Sequence, residues 1–106
     1  MEFQVISASQ LDWYADQEDA LLIDLRPRQN YAYRHIDGAM NIPFRELEHN
    51  LGRLPKDKTL VFYCQRGSQS LMACRQLSAM GYKTVSVTGG LNYYRGNRLV
   101  VQSQFR

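Results

Sequence analysis

Apolar runs alternate with amphipathic stretches along most of this chain. Residues 20–25 and 59–63 are almost continuously apolar, which is typical of strands buried on both faces of a sheet. Val85 and Val87 are separated by one polar residue and predict a third core strand. Residues 3–5 indicate a short first strand. The stretches between these strands are long enough to hold helices.

Helical periodicity is found in those stretches. Ser7 or Ser9 can cap a helix that ends near Tyr14. Four residues share the inward face of a longer helix after the second apolar run: Ala73, Cys74, Leu77 and Met80. Gly81 is placed to end that helix, and Ser78 falls outside its inward face. Shorter helical segments are predicted at residues 29–34, 44–51 and 91–95. Strands that alternate with helices at this spacing predict an α/β fold with a mainly parallel central sheet.

The C-terminal tail, residues 97–106, is harder to interpret. Its segment Leu99–Phe105 is compatible with an extra edge strand, a packed tail or a contact between two copies. Packing on the chain's own domain is the default expectation. At 106 residues the chain is long enough for one domain and too short for two, so we expect a single domain over residues 1–106.

Composition narrows the class of protein but not its chemistry. Apolar residues make up 44% and charged residues 22%, the usual mix of a globular protein. The net charge is +3, but the basic residues are scattered and form no stripe that would bind nucleic acid. No apolar run approaches the length of a membrane span, and residues 1–5 lack the features of a signal peptide. We therefore expect a cytoplasmic protein without nucleic-acid or membrane partners.

The chain has two cysteines, Cys64 and Cys74, and two histidines, His35 and His49. In the predicted helix, Cys74 lies about 10 Å beyond the helix start, which is farther than ordinary disulfide geometry tolerates. The histidines are distant in sequence from the cysteines and no Cys-x-x-Cys pair occurs, so the pattern of a zinc site is absent. We expect neither a metal nor a cofactor.

Cys64 differs from Cys74 in its sequence context. It follows the second apolar run directly and precedes a short polar loop and the long helix. This order directs loop N–H groups and the positive end of the helix toward the sulfur, which favours the thiolate. Gly67 allows a backbone angle that other residues resist, and Ser68 or Ser70 can cap the helix. A free cysteine is by default buried and inert, which we expect of Cys74, whereas Cys64 is predicted to be a nucleophile.

Three groups of residues resemble the motifs of rhodanese-like domains. In chain order they are residues 23–26 with Tyr31 and residues 35–43, then Tyr63-Cys64-Gln65-Arg66-Gly67-Ser68-Gln69-Ser70, and then residues 81–82 with residues 88–90. The resemblance runs from about Phe3 to Tyr94, almost the whole chain. It implies a three-layer fold with a five-stranded, mainly parallel sheet flanked by helices, and sulfurtransferase activity.

The resemblance also implies a mechanism. Cys64 would take a sulfur atom from a donor and hold it as a persulfide until an acceptor thiol or cyanide removes it. Thiosulfate and glutathione persulfide are the implied small anionic donors, and a protein can also be the donor or the acceptor. The residues implied to bind the persulfide are Gln65, Arg66, Gly67, Ser68, Gln69 and Ser70. Gln69 stands where many active members carry Arg, so the choice of donor stays open, and Arg66 can either attract an anion or point into water.

Asp24, Arg26 and His35 invite a catalytic interpretation as base, clamp and shuttle. The resemblance instead treats these positions as scaffold. Asp24 at a strand end can accept hydrogen bonds from loop N–H groups, and His35 can be a buried, hydrogen-bonded ring. We therefore predict that all three give structural support.

Other functions compete with sulfur transfer. A cysteine phosphatase or arsenate reductase places Arg after the cysteine and five further residues, where it binds phosphate bidentately. That position is Ser70, and Tyr63 rather than His precedes Cys64, so both activities are disfavoured. Rhodanese-like modules that only bind partners typically lack the cysteine, which this chain keeps. A persulfide carrier in a sulfur relay remains an alternative, because it differs from thiosulfate cleavage in its partner and not in its chemistry.

Overall fold

A computed structural model describes residues 3–102 of the chain. The strands are β1 (Gln4–Ile6), β2 (Ala20–Asp24), β3 (Arg34–Ile36), β4 (Met40–Asn41), β5 (Thr59–Tyr63), β6 (Lys83–Val87) and β7 (Leu99–Val101). The α-helices are α1 (Leu11–Ala15), α2 (Arg28–Tyr33) and α3 (Ser68–Ala79), and 3-10 helices span Ala8–Gln10, Phe44–Arg53 and Gly90–Tyr93. None of the described helices has the length and apolarity needed to cross a membrane.

Five strands form one parallel sheet in the order β1-β6-β5-β2-β4. The longest pairing joins β2 and β5, from Ala20 opposite Thr59 to Asp24 opposite Tyr63. Because these strands are parallel, their carboxyl ends meet at one edge of the sheet, where ligands bind in folds of this kind. The sheet confirms the predicted α/β fold and brings the end of β2 beside Cys64.

Separate hydrophobic clusters cover the two faces of the sheet. Alternate residues of β5 contribute to each cluster, with Val61 and Tyr63 on one face and Leu60 and Phe62 on the other. Helix α1 covers the first face through Leu11, and α3 covers the second. The apolar run of β5 therefore has the pattern expected of a strand buried on both sides.

The inward face of α3 differs in part from the predicted one. Three of the predicted residues are buried: Ala73, Cys74 and Leu77. The prediction for Met80 is wrong, because α3 ends at Ala79 and the Met80 side chain is 48% exposed. Ser78 is buried instead, and its hydroxyl donates a hydrogen bond to the Arg75 carbonyl at 3.3 Å.

The C-terminal strand β7 pairs with β3 in a small antiparallel sheet outside the main one. The Asp37 N–H donates to the Arg98 carbonyl at 2.8 Å, and the Gln102 N–H donates to the Tyr33 carbonyl at 2.8 Å. Up to Gln102 the tail thus packs on its own chain, which confirms the default expectation for this part. The remainder of the predicted segment, residues 103–105, lies outside the described residues.

Tyr63 connects β5 of the main sheet to the small sheet. Its side chain is fully buried, and its hydroxyl oxygen accepts a hydrogen bond from the Ile36 N–H at 3.0 Å. Burial, followed by the nearby Asp24 carboxylate, raises the pKa of Tyr63, so the hydroxyl stays neutral over the physiological pH range. This bond satisfies a backbone donor of β3 that lies in the protein interior.

We expect Tyr63→Phe to lower the free energy of unfolding by about 1–3 kcal/mol, because the Ile36 N–H is left without its acceptor in a buried position. Tyr14→Phe is the matched control, since the Tyr14 hydroxyl donates to Gln4 at an exposed site; it should change stability by less than about 0.5 kcal/mol. Urea unfolding of the three proteins measures both values. Equal effects of the two substitutions would contradict this role of Tyr63.

Candidate active site

Cys64 follows the last residue of β5 and is only 2% exposed. Two backbone donors point at its sulfur atom: the Gly67 N–H lies 3.0 Å from Sγ and the Ser70 N–H lies 3.4 Å from it. Both belong to the loop and first turn of α3, as the order of strand, cysteine, loop and helix predicts. The N-terminus of a twelve-residue helix adds positive potential at the same place.

Gly67 adopts a backbone conformation that gives the loop its shape. Its φ is +103°, a left-handed value that residues with a Cβ rarely adopt. A Cβ at this position would also lie 2.8 Å from the Gly89 backbone nitrogen. Position 67 therefore requires glycine for two reasons: the left-handed backbone conformation, as predicted, and the lack of space for a Cβ.

Ser70 lies in the first turn of α3 and is fully buried. Its hydroxyl donates to the Gly67 carbonyl at 2.9 Å and is hydrogen-bonded to the Ser86 hydroxyl of β6 at 2.9 Å. The helix cap is Gly67 and no side chain caps it, so the prediction that Ser68 or Ser70 does so is wrong. The Ser70 side chain instead fixes the turn whose backbone N–H is directed at Cys64.

The turn at Gly89 and Gly90 packs against the cysteine loop from the side of β6. The Leu91 N–H donates to the Cys64 carbonyl at 2.9 Å, and the Asn92 N–H donates to the Gln65 carbonyl at 3.4 Å. A Cβ on Gly90 would overlap both of these carbonyl groups. In the sequence, these glycines are notable only as part of a motif that resembles the family. The sequence does not predict that their turn contacts the cysteine loop.

Asp24 and Arg26 form a buried ion pair at the carboxyl end of β2. The Arg26 guanidinium lies 2.7 Å from the Asp24 carboxylate, and the two side chains are 4% and 0% exposed. Asp24 also accepts the Arg26 backbone N–H at 2.9 Å, and Arg26 donates to the Arg34 carbonyl. A further contact, 3.5 Å from the Arg26 guanidinium to the Gln65 side chain, reaches the cysteine loop. The pair thus connects β2, β3 and the loop, and the structural role of Asp24 and Arg26 stays a prediction.

The other predicted side chains differ in burial and contacts. The His35 ring is half-buried, stacks on Tyr31 at 3.8 Å between ring centroids, and has Nδ1 2.7 Å from the Tyr31 carbonyl oxygen. Arg66, within the loop, is exposed. Gln69 is also exposed and lines a cleft of about 360 Å³ beside the loop. Of the predicted residues 65–70, the structure directs the backbone N–H groups of Gly67 and Ser70 at the Cys64 sulfur, and the roles of the others stay predictions.

Cys74 is in the hydrophobic cluster beneath α3 and has no exposed surface. Burial raises the pKa of its thiol to about 12. This environment keeps the thiol protonated and confirms the prediction of a core residue. Among residues 3–102, no group of three His, Cys, Asp or Glu side chains is arranged to hold a metal ion.

The raised pKa of Cys74 predicts a pH dependence of stability. Between pH 9 and 12 the unfolded chain releases the Cys74 proton while the folded chain retains it, so rising pH favours unfolding. Relative to Cys74→Ala, the wild type should lose about 1–2 kcal/mol of unfolding free energy between pH 8 and pH 10. Urea titrations of both proteins at the two pH values measure this difference. A difference that stays constant with pH would contradict the buried, neutral thiol.

Comparison with known proteins agrees with this geometry. The family model of the rhodanese-like domain matches residues 7–97. The chain is 34% identical over 97 residues to the putative sulfurtransferase YtwF of Bacillus subtilis, covering 91% of this chain and 94% of that protein. It is 41% identical over 71 residues to the thiosulfate sulfurtransferase PspE of Escherichia coli, covering 65% and 68% of the two chains. The crystal structure of a rhodanese-like domain protein from Staphylococcus aureus superposes with a TM-score of 0.84 at 24% identity, over 95% of this chain and all of that one, and shows the shared fold. The chain belongs to the rhodanese-like family of sulfurtransferases.

Proposed function

We propose that Cys64 accepts a sulfur atom, holds it as a persulfide and passes it to an acceptor. The observation that carries this proposal is the pair of backbone N–H groups, from Gly67 and Ser70, directed at the Cys64 sulfur. Water hardly reaches this sulfur, so an anion there needs donors from the protein. Fixed N–H groups and a helix N-terminus supply them before any substrate arrives.

The proposed cycle has two displacement steps at sulfur. In the first, the Cys64 thiolate attacks the outer sulfur of the donor, an S–S bond forms, and the donor's own bond to that sulfur breaks. The leaving group is sulfite when the donor is thiosulfate and a thiolate when the donor is a thiol persulfide. In either case it takes the bonding electron pair. In the second step, an acceptor thiolate or cyanide attacks the outer sulfur and the Cys64 thiolate is released. No external oxidant or reductant is consumed.

The same geometry serves a small donor or a protein persulfide, because either presents a single terminal sulfur to Cys64. The acceptor must likewise be small or flexible enough to reach a sulfur that the fold nearly encloses. The loop side chains of Gln65 and Gln69 are neutral and can donate hydrogen bonds to a donor. Arg66 is the one charged side chain of the loop and is available to an approaching anion.

Incubation with thiosulfate or glutathione persulfide should add about 32 Da, one sulfur atom, at Cys64 and not at Cys74, since two backbone N–H groups are directed at the Cys64 sulfur whereas burial keeps the Cys74 thiol protonated. Intact mass and peptide mapping of the wild type measure the adduct and its position. Cys64→Ser should remove the adduct, and Cys74→Ala should retain it. Failure of every donor to load the wild type, or loading of Cys64→Ser, would overturn the proposal.

A further inference from the structure

A cleft of about 360 Å³ lies beside the cysteine loop at the carboxyl end of the sheet. Residues after β2, including Leu25 and Arg28, form one wall, the start of the Phe44–Arg53 helix forms another, and Gln69 of the loop borders it. The Leu25 N–H donates to the carbonyl of Tyr63, the residue before Cys64, at 2.9 Å. The cleft is thus directly next to the sulfur-binding loop, and its volume is in the range of organic-ligand sites.

Two opposite charges stand side by side on the walls of this cleft. The Arg28 guanidinium binds the Glu46 carboxylate through both Nη atoms, at 2.8 Å and 2.6 Å. The pair joins α2 to the Phe44–Arg53 helix, and its side chains are 70% and 37% exposed. Arg45 adds a further positive charge to the lining, whereas Gln69 adds none. Both members of the pair are therefore accessible to a solute in the cleft.

An α-amino acid group has the complementary arrangement of charges, a carboxylate and an ammonium on one carbon. Arg28 uses only two of its five N–H donors on Glu46, so it can bind a second carboxylate. The Glu46 carboxylate can accept the ammonium at the same time. Thiosulfate has negative charge alone, so Glu46 weakens its attraction to Arg28 and Arg45, and position 69 adds no further Arg.

We propose that this cleft selects donors that are thiol persulfides with a free α-amino acid group, with Arg28 binding the α-carboxylate and Glu46 the α-ammonium. The inference rests on the proposed persulfide chemistry of Cys64. Glutathione persulfide is the probe, because its γ-glutamyl end presents this group several bonds from the sulfur, as a cleft beside the loop requires. In the transfer, Cys64–S⁻ and RS–SH give Cys64–S–SH and RS⁻, so charge and atoms balance.

The charge pair predicts opposite effects on the two donors. Glu46→Gln should lower kcat/KM for glutathione persulfide about 5- to 10-fold, mainly through KM, because the lost contact is remote from the reacting atoms. The same substitution should raise kcat/KM for thiosulfate about 2- to 5-fold, since the repulsive charge is removed and Arg28 is released. Arg28→Gln should lower kcat/KM for both donors.

Glu48→Gln is the matched control, because Glu48 lies on the same helix, is exposed, and lines a different groove with Leu47 and Met80. This substitution changes the net charge by the same amount as Glu46→Gln. It should change kcat/KM for either donor by no more than about 1.5-fold. Changes of the same sign for both donors in Glu46→Gln, or equal effects of Glu46→Gln and Glu48→Gln, would overturn the inference while leaving the Cys64 chemistry in place.

A binding measurement separates this inference from the proposed function. S-methylglutathione has the amino-acid group but no transferable sulfur, so its binding does not depend on catalysis. In NMR titrations it should shift the amide signals of residues 44–46, and Glu46→Gln should raise its Kd about 5-fold or more. Absence of binding, or equal Kd values for wild type and Glu46→Gln, would overturn the inference even if no donor loads Cys64.

Discussion

Two backbone N–H groups, from Gly67 and Ser70, are directed at a sulfur atom that the fold has removed from water. An anion in such a place is costly unless hydrogen bonds replace its hydration. The positions of these two donors depend in turn on the left-handed conformation of Gly67 and on the Ser70 hydroxyl, which is held by Ser86. A large part of the surrounding structure serves to keep this short loop in one conformation.

That support comes from three directions. Strand β5 places Cys64 at the carboxyl end of the parallel sheet. The turn at Gly90 donates hydrogen bonds to the carbonyls of Cys64 and Gln65. The Asp24–Arg26 pair connects the end of β2 to Gln65. A buried ion pair contributes little net stability, because desolvation opposes the attraction between its charges. The pair instead fixes the path of the chain from the end of β2 to the residues that line the cleft.

The sequence is most informative where a local rule applies. Nearly continuous apolar runs predict β2 and β5, and the structure covers both faces of these strands. The direct succession of strand, polar loop and helix predicts the cysteine loop. Helical periodicity predicts Met80 in the core, but the helix ends before it. The same periodicity places Ser78 off the inward face, yet Ser78 is buried and its hydroxyl donates to the helix backbone.

The parts that were not predicted bring together residues far apart in the chain. The contact of Gly90 with the Cys64 loop and the pairing of Arg28 with Glu46 depend on how separate segments meet in space, which no local pattern encodes. The structural roles of Asp24 and Arg26 stay predictions, as do the roles of residues 65–70 in binding sulfur. Tertiary contacts, and not periodicity, define this site.

In the proposed chemistry, the backbone of the loop holds the charge on sulfur. Amide NMR spectra of the ¹⁵N-labelled protein before and after loading of Cys64 test it most directly, with mass spectrometry to confirm the added sulfur. The Gly67 and Ser70 amide signals should shift more than those of α3 residues around Cys74. Unchanged Gly67 and Ser70 signals in the fully loaded protein would contradict it.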